Sequence, residues 1–304
     1  MTKKTILNTR AGIATIVGGP NVGKSTLINR IIGSKISIVS PKVQTTRSRI
    51  RGICVIGSAQ LVVSDTPGIF RGASRRLDRA MIDAAWHSVR DADAIVFLID
   101  AGRGLDVNAL SIIDELTQLG LRVLLAINKV DSVKPENLLP LTESIRTTIS
   151  VDDIFMISAL NGDGVKDLVT QIIELLPRGP WLYPEDQISD VSDMFLASEI
   201  TREKLFLQLH QEIPYALAVE TTNWSELRDK SLRIEQVVYV TRNTYKSIVL
   251  GKNGSRIKSV GTNARRDLQK LFSRKIHLFL HVKVRDNWVE DKEHFRTLGL
   301  KFNI

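Results

Sequence analysis

An octapeptide near the start of the chain, Gly18-Gly19-Pro20-Asn21-Val22-Gly23-Lys24-Ser25, constrains the fold more than any other segment. It matches G-x-x-x-x-G-K-[ST], a loop whose backbone N–H groups cradle phosphates. Such a loop works between a buried strand and a helix N-terminus, where the helix dipole adds positive potential. Both flanks are present: residues 12–17 read as a short buried strand, and 25–32 as a helix with apolar Leu27, Ile28, Ile31 and Ile32. The loop from Gly18 to Ser25, with Thr26 behind it, is the expected phosphate site. Lys24 reaches the outer phosphates and the Ser25 hydroxyl sits on Mg²⁺.

Strand-like and helix-like segments alternate through residue 177. Strands are expected at 12–17, 51–56, 60–64, 94–99, 122–127 and 154–157. Helices are expected near 25–32, 75–90, 107–119, 135–149 and 164–176. This rhythm predicts an α/β domain, a mostly parallel sheet flanked by helices on both faces. The run Pro177-Arg178-Gly179-Pro180-Trp181-Leu182-Tyr183-Pro184 breaks it, because no helix traverses those prolines. The expected organisation is a first domain over 1–178, a linker over 179–190, a second domain over 191–285 and an unassigned tail over 286–304. The second domain reads as an amphipathic helix over 190–211 and strands near 215–222 and 233–241. Two short helices then meet at Gly251-Lys252-Asn253-Gly254, before a strand over 276–284.

Three further motifs sit on predicted strand ends. Asp65-Thr66-Pro67-Gly68, followed by Ile69, ends the strand 60–64. Asp65 suits a Mg²⁺ shell, and the Gly68 N–H a terminal phosphate. Asn128-Lys129-Val130-Asp131 ends the strand 122–127. Asp131 accepts from guanine N1 and N2, a donor pair that adenine lacks; such a bidentate contact is worth about 1–3 kcal/mol. Asn128 holds neighbouring loops together, and the Lys129 stem lies along the base. Ser158-Ala159-Leu160 offers the Ala159 N–H to guanine O6. Gln44-Thr45-Thr46-Arg47 supplies a threonine to the metal shell; Thr46 is favoured and Thr45 is the alternative. The expected reaction is in-line attack of water on the γ-phosphate of GTP, giving GDP and phosphate. Lys24, Ser25, Thr46, Asp65 and Gly68 serve it, with Mg²⁺ and backbone amides neutralising charge.

G-x-P-N-V-G-K-S, D-T-P-G-I and N-K-V-D together resemble the Era family of the translation-factor-related GTPases. The resemblance implies a P-loop GTPase domain followed by an α+β type II KH domain, in a monomer. Ile69 stands where Ras-like enzymes carry a water-orienting glutamine, so it implies slow unaided hydrolysis. It implies a K⁺ ion held in part by Asn21. It also implies binding to the 3′ end of 16S rRNA during assembly of the 30S ribosomal subunit, in the cytoplasm.

The charge distribution points the same way. The net charge is +9, yet residues 242–285 alone hold twelve Lys/Arg against one acid, Asp267. Residues 179–200 hold five acids and no Lys or Arg. Segregation of this kind implies a nucleic-acid or anionic partner. Gly251, Lys252, Asn253 and Gly254 fit the KH G-x-x-G loop, which clamps about four nucleotides. Lys246, Lys252, Arg256 and Lys258 are the expected phosphate contacts, and Ile248 with Ile257 an apolar floor. From Ser255, a helix places Ile257, Val260, Ala264, Leu268 and Leu271 on one face. Two other readings compete: an RNA-binding assembly factor that uses GTP only as a sensed nucleotide, and a peripheral GTPase on the anionic inner membrane. The second lacks an amphipathic helix with large aromatics. One cysteine, Cys54, excludes an internal disulfide, and no apolar stretch approaches the ~18 residues of a spanning helix.

Overall fold

The computed structural model describes residues 9–42, 45–73, 75–120, 122–148, 153–210, 212–286, 288 and 291–303. The chain forms two compact units. The first comprises Met1–Ser37, Thr46–Asp190 and Leu298–Ile304; the second comprises Ile38–Thr45 and Val191–Thr297.

The first unit runs β1 (Arg10–Val17), α1 (Lys24–Ile32), β2 (Ile50–Ile56), β3 (Ala59–Asp65), α2 (Arg76–Arg90), β4 (Ala94–Asp100), α3 (Val107–Gln118), β5 (Val123–Asn128), α4 (Leu138–Thr148), β6 (Asp153–Ile157) and α5 (Val165–Leu175). Its sheet has the order β2-β3-β1-β4-β5-β6. Only β2 runs antiparallel, joined to β3 by a tight turn with Gly57 at φ 61°. The parallel pairs follow from the sequence. β3 and β4 are buried at every position, as strands covered by helices on both faces must be. Parallel strands need crossover helices, so their C-terminal ends share one edge. The loops after β1, β3, β5 and β6, which carry the four strand-end motifs, therefore gather there. The expected helix near 135–149 begins later than predicted, because Pro135–Asn137 forms a separate single turn; residue 149 lies outside the described residues.

Residues 179–190 are not a free linker. The Gln60 side chain accepts from the Leu182 and Tyr183 N–H groups at 2.7 and 3.0 Å and donates to the Tyr183 carbonyl at 2.8 Å. Ile53 N–H donates to Ile188 at 2.9 Å, and Arg51 N–H to the Asp190 carboxylate at 2.9 Å. The segment lies along β2 and β3, so the break between units falls after Asp190.

The second unit carries α6 (Asp193–Gln208), β7 (Leu217–Glu226), β8 (Leu232–Val240), α7 (Asn243–Leu250), α8 (Ser255–Phe272), β9 (Ile276–Val284) and α9 (Lys292–Thr297). β7 pairs antiparallel with β8, and β8 parallel with β9. Of the two helices expected to be short, α8 spans 18 residues. α6 is not amphipathic. It buries Ser198, Glu199, Thr201, Arg202 and Glu203 beside its apolar residues. Residues 38–42 and Thr45 lie against it in the same unit. Val39 N–H donates to Glu203 at 3.0 Å, the Arg202 guanidinium to the Thr45 carbonyl at 2.5 Å, and Lys42 to the Phe206 carbonyl. Buried charges persist here because each has a partner. The second unit also outruns residue 285: Trp288 and Phe295 are buried, and the Trp288 indole donates to the Ala216 carbonyl at 3.3 Å. The last residues return to the first unit, where Arg76 stacks on Phe302 at 4.5 Å.

Candidate functional site

α1 begins immediately after Gly23, whose φ of 103° turns the chain from loop to helix. Glycine is demanded there: a Cβ would lie 2.2 Å from the Asn128 side-chain nitrogen. Lys24, at the first helical position, is buried and donates to the Gly18 and Gly19 carbonyls at 3.1 and 2.8 Å. Burial lowers its pKa to about 8, with the Asp65 charge opposing. A buried cation packed under the phosphate loop and hydrogen-bonded to its carbonyls suits a polyanion arriving from the other side.

Ser25, Thr46 and Asp65 converge. The Ser25 hydroxyl lies 2.9 Å from Asp65 Oδ2 and 3.1 Å from Thr46 Oγ1, and Thr46 Oγ1 is 3.1 Å from the same carboxylate oxygen. Ser37 donates to it as well. Burial raises the Asp65 pKa, and the hydrogen bond from Ser37, the Lys24 charge and the other two hydroxyls oppose the rise. The second oxygen, Oδ1, is buried without a hydrogen-bond partner among the described residues. Hard oxygen donors around an unsatisfied carboxylate fit Mg²⁺, which when bound neutralises charge on the outer phosphates. Between the two threonines the geometry selects Thr46. The Thr45 hydroxyl instead bonds Ser40 and the Lys42 carbonyl, both at 2.7 Å.

The base-side loops interlock with the phosphate loop. Asn128 donates to the Val22 carbonyl at 2.7 Å and accepts from the Ala159 N–H at 2.9 Å. The Ala159 hydrogen expected at guanine O6 is thus committed to Asn128 in this structure. The Lys129 ammonium reaches the Asn21 carbonyl and Asp100 Oδ2, each at 2.7 Å. Asp131 stands exposed in the turn Val130–Ser132. Ser158 shapes its own loop, its hydroxyl accepting from Asn161 N–H at 3.0 Å. Gly68 passes so close to Pro20 that a Cβ would lie 3.1 Å from its backbone.

Several residues expected to line the nucleotide have side chains that serve packing. Ile69 is buried in a cluster with Val17, Trp86 and Phe97, and its N–H reaches the Gly18 carbonyl at 3.3 Å. Its apolar side chain has no group with which to orient water. Val22 is buried, Val130 packs against the Ile69 cluster, and the buried Thr66 hydroxyl donates to the Ile16 carbonyl at 2.8 Å. Asn21 sits at the loop with φ 62°.

Three residues were missed. Asp100 accepts from Gly102 N–H at 2.9 Å as well as from Lys129, and Arg103, 3.8 Å from the same carboxylate, donates to the Pro20 carbonyl at 3.1 Å. The signal was legible: Asp100, like Asp65, is an acid closing an apolar strand. Arg30 donates from α1 to the Ala159 carbonyl at 3.2 Å and to that of Leu160. Nothing local announces it, since its partners lie about 130 residues away.

The second site sits between α7 and α8. Gly251, Asn253 and Gly254 have φ of 72°, 51° and 74°. A Cβ on Gly251 would meet Arg256 at 2.8 Å, so close approach as well as conformation requires glycine. The loop delivers the chain onto the N-terminus of α8, the end of the helix whose dipole favours phosphate. Lys252, Asn253 and Lys258 are exposed, Ile248 is 40% exposed and Lys246 is half-buried. Two expectations change. The Arg256 guanidinium bonds the Ile248 carbonyl, closing the loop. Ile257 packs into the core beside Val260 and Val249.

A family model described as 50S ribosome-binding GTPase matches residues 13–129, and a KH domain model matches 212–289. The GTPase Era of Agrobacterium fabrum is 53% identical over 296 residues, covering 97% of this chain and 93% of its own. That of Rhizobium meliloti is 52% identical over 294 residues, covering 97% and 94%. Aquifex aeolicus Era, solved as a variant bound to GDP·AlF4⁻, superposes with a TM-score of 0.91 at 37% identity, over 96% of this chain and 99% of that one. Era solved with MgGDPNP and nucleotides 1506–1542 of 16S ribosomal RNA gives 0.90 at 38% identity, with the same coverage. The chain belongs to the Era family and is a GTPase.

Proposed function

We propose that this GTPase binds the 3′ end of 16S rRNA and acts in assembly of the 30S subunit. In this reading it works as a cytoplasmic monomer. The observation that carries the RNA half is the glycine-dependent loop at the head of α8, flanked by exposed Lys252 and Lys258. The relative solved with nucleotides 1506–1542 of 16S rRNA supports the target. GTP, Mg²⁺, Lys24, Ser25, Thr46, Asp65 and the Gly68 N–H serve hydrolysis, and Asp131 selects guanine.

Replacing Gly251 and Gly254 by Asp tests the RNA half. Binding of an RNA spanning those nucleotides is expected to fall at least about 100-fold, because phosphate meets a carboxylate on a distorted loop. Hydrolysis measured without RNA stays unchanged. Retained RNA affinity overturns the assignment. A K⁺ ion near Asn21 predicts faster hydrolysis in K⁺ than in Na⁺, a difference that Asn21→Ala removes; equal rates refute it. The basic window of 242–285 also favours a second reading, peripheral binding to anionic lipid. Co-sedimentation with phosphatidylglycerol vesicles, with and without competing RNA, separates the two.

A further inference from the structure

The charge of the second unit does not end at the G-x-x-G loop. α8 continues for 18 residues, and its sequence alternates a buried edge with a cationic one. Val260, Ala264 and Leu268 are buried. At about 100° per residue, Lys258, Arg265, Arg266 and Lys270 fall within a sector about 140° wide on the opposite face. All four are exposed. Among the described residues none pairs with a carboxylate. The single acid of the helix, Asp267, is bonded to Lys204 of α6, which also holds Glu203 at 2.8 Å. Asp267 therefore sits across from Lys204 instead of neutralising the stripe.

From Lys258 to Lys270 the stripe runs about 18 Å along the helix axis. The loop at its head clamps only about four nucleotides. We infer that α8 is a second, sequence-independent RNA contact: a track of Lys258, Arg265, Arg266 and Lys270 for backbone phosphates beyond the clamped segment. The inference rests on the RNA reading of the G-x-x-G loop. It commits to RNA over lipid because the residues between the cations are polar, with Ser259 and Thr262 exposed. A helix lying in a membrane turns an apolar face to lipid, and the apolar face of α8 is spent on the core.

The test uses the full chain with Arg265→Gln, Arg266→Gln and Lys270→Gln together, all surface changes. Two RNAs are compared over a salt series: the long 3′-end RNA and a single strand of about six nucleotides drawn from its tail. Each lost phosphate contact removes about 0.7–0.9 from the slope of log K against log salt, so the long RNA should lose about 2–3 units of slope. Its low-salt affinity should fall at least about tenfold, while the short strand and RNA-free hydrolysis are unaffected. An unchanged slope on the long RNA overturns the track. Equal losses on both RNAs overturn it too, because they place the effect at the clamp. Loss of phosphatidylglycerol co-sedimentation with the slope intact assigns the stripe to lipid. If wild type fails to bind either RNA, the reading of the loop itself fails.

Discussion

At the nucleotide site most polar side chains already have a protein partner; along the outer face of α8, Lys258, Arg265, Arg266 and Lys270 pair with no carboxylate among the described residues. Asn128, Lys129, Asp100 and Arg103 tie three loops together through bonds of 2.7–3.1 Å. Arg265, Arg266 and Lys270 touch no carboxylate among the described residues. The difference follows from what each surface must do. A site that selects one base and aligns one phosphate has to be preorganised. A surface that meets a repeating polyanion needs only unneutralised charge.

The contrast is broken most forcefully by glycine. Gly23→Ala would drive a Cβ to 2.2 Å from Asn128, in a backbone at φ 103°. Nucleotide affinity should fall more than about 100-fold, since a non-glycine strain and a broken loop contact add. Gly254→Ala meets open space and bears only the left-handed penalty of about 1–2 kcal/mol. Titration with a fluorescent GDP for the first variant, and with RNA for the second, measures both. Comparable losses would erase the distinction between a packed and an open site. Next in size is Asp131→Asn, which should weaken GTP binding by about 10–100-fold and admit xanthine nucleotides; an unaltered guanine preference would sink the assignment.

Much of this was legible in the sequence, for a physical reason. Buried parallel strands are continuous apolar runs, so 94–99 and 60–64 announced β4 and β3. Phosphate loops and base-reading turns sit on strand ends, so their spacing placed four motifs on one edge. What escaped depends on partners distant in the chain. α6 read as amphipathic because nothing local shows residues 38–42 and Thr45 covering its polar side. The Arg30 contacts and the return of 298–304 to the first unit have the same character. Ile69 was singled out for what it lacks, a water-orienting amide; its burial beside Trp86 shows what it does instead.

Coupling gives the next sharpest test. Asp100→Asn and Lys129→Ala remove two ends of one contact, so their effects on nucleotide affinity should not add. A double-mutant cycle should return about 0.5–3 kcal/mol of interaction. On α8 the residues share no partner, so Arg265→Gln and Lys270→Gln should add within about 0.5 kcal/mol on RNA affinity. Additivity at Asp100 and Lys129 would mean that the interlock does not transmit to the nucleotide.

The smallest expected effect comes from Lys24. Burial lowers its pKa from 10.5 to about 8, with Asp65 opposing. Without nucleotide, the folded chain releases this proton near pH 8, whereas the unfolded chain holds it to about 10.5. Above pH 8 the unfolded state therefore binds more protons, and stability rises with pH through that window as the cost of burying the ammonium disappears. Nucleotide reverses the sign. Bound phosphates favour the charged lysine, so binding near pH 8.5 must take up a proton and affinity should fall about fourfold from its value at neutral pH. Calorimetric titration of GDP in buffers of different ionisation enthalpy reads the uptake directly. No uptake near pH 8.5 would mean that the Gly18 and Gly19 carbonyls already hold Lys24 charged, and that the phosphate loop is electrostatically complete before any phosphate arrives.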